Sequence, residues 1–125
     1  MTVSSEMFRD DLMGAQAGVT LLFGNFTMNA DPAIASQDCY GFSVARTAEG
    51  LFTITLDQIY AGLITVCAMS NEAAGDLGAF NVTAETVAST KTISLVCLGS
   101  AGAAHDPADT KSVFLTIVVR HGSTI

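Results

Sequence analysis

The chain has 125 residues and a mass of 12.9 kDa, enough for one domain with a real core and too few for two. Half of it is apolar, mean hydropathy is +0.47 and 14% is charged, against roughly 25% in an ordinary soluble domain, so another chain is expected to cover part of the surface. The net charge of −7, with the five bases Arg9, Arg46, Lys91, Lys111 and Arg120 scattered, argues against nucleic-acid and membrane partners, since neither phosphates nor anionic lipid would find a basic patch.

Residues 1–17 are expected to form an N-terminal arm or a short helix. Ser5 is placed to cap a helix whose first turn carries acids, and Phe8 and Leu12 fall four apart. The uncharged stretch from Leu12 to Ala30 holds Gln16, Thr20, Asn25, Thr27, Asn29 and three glycines, too polar for a membrane span. Glu6, Asp10 and Asp11 stand before it where a secretory signal carries positive charge. The chain is therefore expected to fold in a cytoplasm.

Residues 18–125 are expected to form a single β domain. Residues 18–28, GVTLLFGNFTM, read as a first strand with a bulge or bend at Gly24, and Ala30 to Asp38 as a loop. Gly41 to Leu56, GFSVARTAEGLFTITL, is one hairpin. Phe42, Val44 and Arg46 alternate with smaller residues, Phe52, Ile54 and Leu56 alternate with Thr53 and Thr55, and Gly50 supplies the positive φ of the turn. The continuous apolar run GLITVCAM (62–69) predicts a strand buried on both faces. Asn71 to Gly78 is a loop, Phe80 to Ala84 and Thr92 to Leu98 are strands, Gly99 to Lys111 is a long loop and Ser112 to Arg120 is the last strand. About seven strands separated by turn signals, with no long 3.6-period segment, predict an antiparallel β-sandwich, jelly-roll-like or closed as a small barrel.

Few residues suggest chemistry. His105, Asp106 and Asp109 are the one cluster of potential ligands, but it has too few oxygens at alternating positions for a calcium loop, and Asp106-Pro107 reads better as the start of a turn. No metal and no cofactor are expected. Three cysteines without a CxxC spacing predict free thiols, Cys67 and Cys97 buried within strands and Cys39 near a loop. Tyr60 is expected to pack at a sandwich corner, and Arg46 and Arg120 to pair with acids across strands or across a subunit boundary. The triplets at Asn25 and Asn81 match the glycosylation pattern by chance, and GSAG at 99–102 lacks the lysine of a phosphate loop. With no nucleophile triad and no carboxylate pair, no enzyme is expected.

The segments GNFTMNADPAI, GFSVARTAEGLFTITLDQIYAGLITVCAM and HDPADTKSVFLTIVVR, spanning roughly residues 18–120, resemble the small structural proteins encoded beside capsid genes in tailed bacteriophages. The positions that carry the resemblance are Gly24 to Thr27, Ser43 to Leu56, Asp106 to Ala108 and Val113 to Arg120. It implies a capsid decoration, or cement, protein on the outside of the virion. The implied partners are the major capsid protein and further copies of the chain, in a homo-oligomer that is commonly a trimer. The arm lies outside the resemblance, and its apolar Met7, Phe8, Leu12 and Met13, rimmed by Arg9, Asp10 and Asp11, are the expected capsid or subunit contacts. The rival reading is a carbohydrate- or receptor-binding module of a fibre or tail. The absence of Trp and the presence of only two Tyr count against it, because sugars stack on aromatic rings.

Overall fold

The computed structural model describes residues 18–71 and 77–121. They form eight strands: β1 (Val19–Met28), β2 (Ile34–Cys39), β3 (Phe42–Ala48), β4 (Leu51–Leu56), β5 (Gly62–Ser70), β6 (Leu77–Glu85), β7 (Thr92–Gly99) and β8 (Ser112–Arg120). All pairings are antiparallel. Sheet I has the order β2-β1-β8-β5 and sheet II the order β3-β4-β7-β6. The two sheets stay open, so of the expected architectures the sandwich is formed and the barrel is not. No helix among the described residues is long and apolar enough to cross a membrane.

Period-2 alternation dictates the packing. β8 turns Val113, Leu115, Ile117 and Val119 inward, β4 turns Phe52, Ile54 and Leu56 inward, and β7 adds Ile93, Leu95 and Cys97. The Phe26 ring of sheet I meets the Phe52 ring of sheet II at 5.0 Å between centroids, one of the contacts that join the layers. No polar or charged side chain is buried among the described residues, so burial of apolar area holds the sheets together. The chain crosses between sheets at residues 57–61. Tyr60 is buried there, its N–H donating to the Val87 carbonyl at 3.0 Å, which places it at a corner as expected.

Three expectations are corrected. β2 occupies the segment read as a loop. Its sequence IASQDC has little apolar content, and what makes it a strand is the ladder to β1 from Gly24↔Cys39 to Met28↔Ile34. Gly24 itself lies in regular strand, and the register shift falls at Thr27/Met28 instead. β5 is not buried on both faces. It is an edge strand of sheet I, on the opposite edge from β2, with Leu63, Val66 and Ala68 against the core and Ile64, Thr65, Cys67 and Met69 facing out.

Candidate functional site

Two features of the surface are built well enough to act. The first is the loop between β7 and β8, which folds over the tip of the β3–β4 hairpin. Asp106 accepts two hydrogen bonds from Arg46, from Nε at 3.0 Å and from an Nη at 2.8 Å, and a third from the Gly50 N–H at 2.9 Å. Cys97 N–H donates to the Gly50 carbonyl at 2.7 Å and His105 N–H to the Cys97 carbonyl at 2.9 Å. Gly50 is buried beneath this loop with φ at +71°, and a Cβ there would lie 2.5 Å from the His105 nitrogen. The site therefore needs glycine both for its backbone angle and for the close approach.

Burial alone would raise the Asp106 carboxyl. The bidentate Arg46 guanidinium and the Gly50 N–H outweigh it, and the net effect holds the carboxyl below its ordinary range. Asp106 is thus engaged as a latch between hairpin and loop. His105 and Asp109 are exposed, and no three ligand-type side chains among the described residues converge on a point that could hold a metal. Of the two arginines expected to pair, Arg46 does so. Arg120 is exposed and makes no ion pair among the described residues.

All three cysteines are free. Cys97 is buried, and that burial, with the Asp106 charge adding to it, pushes its thiol up to about 12. Burial also raises the Cys39 thiol, which is partly covered. Cys67 is exposed, contrary to expectation, because β5 turns it outward opposite Thr116.

The second feature is the difference between the two outer faces. On sheet II the outward rungs Ser43–Thr55–Thr92 and Ala45–Thr53–Ser94 carry mostly hydroxyls, and the next, Ala48–Leu51–Val96, is apolar. On sheet I they are Phe23–Thr116–Cys67, Asn25–Phe114–Met69 and Leu21–Val118–Thr65. Phe23 is 46% exposed, Phe114 49% and Met69 66%, with Ile64 and Tyr40 more than half exposed on the same side. Counting about 200 Å² for each full ring, these side chains leave roughly 500 Å² of apolar area in water, at the upper end for a monomer surface. Phe23, Tyr40, Phe114, Asn25 and Asp38 also line an open depression of about 290 Å³.

Sequence reasoning detected an excess of apolar residues and did not locate it. Phe23 and Phe114 sit in runs that read as core, and Tyr40 joins them from the turn after β2, where its N–H donates to the Phe23 carbonyl at 2.9 Å. The signal was present in β8, where both parities of SVFLTIVVR are rich in apolar residues, although a strand in a two-layer sandwich has only one dry side. The expected arm contacts Met7, Phe8, Leu12 and Met13 lie outside the described residues.

Fold and surface together define an open β-sandwich whose outer face on sheet I is apolar and whose outer face on sheet II is richer in hydroxyls. Compared with known proteins, the chain matches no family model, no curated protein and no solved structure.

Proposed function

We propose that the chain is a non-enzymatic virion protein of a tailed bacteriophage that binds the outside of the capsid and stabilises contacts between capsid subunits. The observation that carries this reading is the apolar outer face of sheet I on a scaffold that buries no polar or charged side chain among the described residues. Such a surface serves association with other protein rather than chemistry. The sequence resemblance over residues 18–120 supplies the partner, the major capsid protein. The mechanism is multivalent burial. Many copies, each as a homo-oligomer, bridge neighbouring capsid subunits, and apolar area removed from water at about 25 cal/mol per Å² favours the joined state. Met7, Phe8, Leu12 and Met13 of the arm make the shell contact in this reading. Mass spectrometry of purified virions should find the protein in many copies, and deleting residues 1–13 should weaken binding to shells while leaving the β fold unchanged. Absence from virions would refute the reading, and full retention of the truncated protein would refute the arm's part in it.

A second reading, a carbohydrate-binding module of a fibre or tail, is favoured by the depression on sheet I. Three aromatic rings there surround Asn25 and Asp38, an apolar floor with a carboxylate and an amide to hold hydroxyls. A glycan array decides it: saturable binding abolished by Tyr40→Ala supports this reading, and silence across the array removes it.

A further inference from the structure

We propose that the outer face of sheet I seats the same face of a second copy, related by a two-fold axis that lies in the interface and crosses the strands near Ile117. This rests on the homo-oligomer half of the reading above and is independent of the shell half.

The apolar area fixes the kind of partner. A standard interface removes about 800 Å² from each side, with an apolar centre and a polar rim. The face spans three strand spacings, about 14 Å, by the nine residues of β8, about 30 Å, and its apolar side chains run from the Phe114 rung to the Val118 rung. Two stacked sheets of this kind pack about 10 Å apart. The outer face of sheet II is the poorer candidate, because its rungs Ser43–Thr55–Thr92 and Ala45–Thr53–Ser94 carry mostly hydroxyls and leave Leu51–Val96 as the apolar rung between β4 and β7.

Charge selects a second copy and sets its orientation. Each chain carries a net charge of −7, so two copies repel unless they meet where that charge is absent. The outward rungs of β1, β8 and β5 hold no charge between the two ends of the face. Asp38 sits at one end, beside Asn25 and Phe114, and Arg120 at the other, beside Val19 and Gly62. Six residues of β8 separate Phe114 from Arg120, about 20 Å, and their midpoint is Ile117. A two-fold axis at that level reverses the strands and carries the acidic end of each copy to the basic end of the other. Any parallel seating would stack like on like. Cys67, in register with Thr116 one residue from the axis, then faces its own counterpart.

A two-fold pair closes with two chains, in place of the trimer that the resemblance implies. Light scattering of the full chain at micromolar concentration should give twice 12.9 kDa. The double variant Phe23→Glu with Phe114→Glu should give the single-chain mass and keep its β circular dichroism, while Thr53→Glu with Ser94→Glu on sheet II should remain paired. A thiol cross-linker provides a readout on the unmutated fold: a bis-maleimide should trap the pair in the wild type, and Cys67→Ser should abolish the product. A single-chain or three-chain mass for the wild type overturns the proposal. So does a face variant that stays paired, or cross-linking that survives Cys67→Ser. A single-chain mass combined with loss of shell binding in the face variant would assign the face to the capsid instead.

Discussion

Replacing Gly50 by Ala tests how tightly the β7–β8 loop is clamped to the hairpin. The new Cβ would lie 2.5 Å from the His105 nitrogen, 2.9 Å from the Cys97 carbonyl oxygen and 3.0 Å from the Ala104 carbonyl carbon. All three are backbone atoms, so no side chain can swing aside to make room. The left-handed φ of +71° adds about 1–2 kcal/mol for a residue with a Cβ. Relief of the clash requires the loop to lift, which breaks or stretches the bonds from Gly50 N–H to Asp106, from Cys97 N–H to Gly50 and from His105 N–H to Cys97, at about 1 kcal/mol each. The lower entropy of the unfolded Ala chain offsets at most about 1 kcal/mol. The expected loss is therefore about 4 kcal/mol, a large share of the roughly 5–15 kcal/mol that holds a domain together. Gly102→Ala is the matched control. Its φ is +87°, yet nothing lies within 4 Å of the added carbon, so about 1 kcal/mol of backbone strain is all it should lose. Urea denaturation of the two variants against wild type measures both values. Equal losses would refute the clamped-loop account.

The Asp106 latch makes stability depend on acid. Its folded carboxyl is held below the ordinary value, so its contribution is complete above the unfolded pKa of about 3.9 and is lost as pH falls through the folded one. The urea midpoint of wild type should drop steeply below that pH and that of Asp106→Asn should not, whereas parallel curves would contradict the latch. Cys97, raised to about 12, works in the opposite direction. Its contribution is complete below the unfolded thiol value near 8.5 and is lost as pH climbs towards the folded one, so Cys97→Ala should flatten the alkaline fall. In the single-chain face variant Phe23→Glu with Phe114→Glu at neutral pH, Cys67 should label rapidly and Cys97 only on unfolding, and equal rates would contradict the burial pattern. Gln37 donates from Nε2 to the Val44 carbonyl at 3.0 Å and accepts from the Val44 N–H at 2.9 Å, clipping the edge of sheet II as a neighbouring strand would. Gln37→Ala should cost about 1–2 kcal/mol and unprotect the Val44 amide in hydrogen exchange; an unchanged exchange rate would show that the clip carries no load.

Alternation made the hairpin legible, since Phe52, Ile54 and Leu56 could all be buried only on one side of a strand. β2 was illegible for the same reason in reverse. An edge strand held by backbone bonds and one glutamine amide has no apolar period to display. β5 shows the limit of a continuous apolar run, which states that both sides of the strand are apolar and not that both are dry. The excess of apolar residues over one core was visible in the composition and in β8. Its place was not, because the cluster of Phe23, Tyr40 and Phe114 exists only once β1 lies beside β8 and the turn after β2 folds back. The latch was half legible. Arg46 was expected to find an acid, but its partner is 60 residues away in sequence, a separation no local pattern encodes.

If, as proposed, bound copies hold capsid subunits together, the effect is read in the thermal dissociation of purified shells that lack the protein. Anything that binds the assembled shell and not the released subunits raises the dissociation temperature as its concentration passes its dissociation constant. Saturating protein should therefore move the transition upward in a dose-dependent manner, reaching a plateau when the sites are filled. A transition that stays in place at saturating protein would contradict the account.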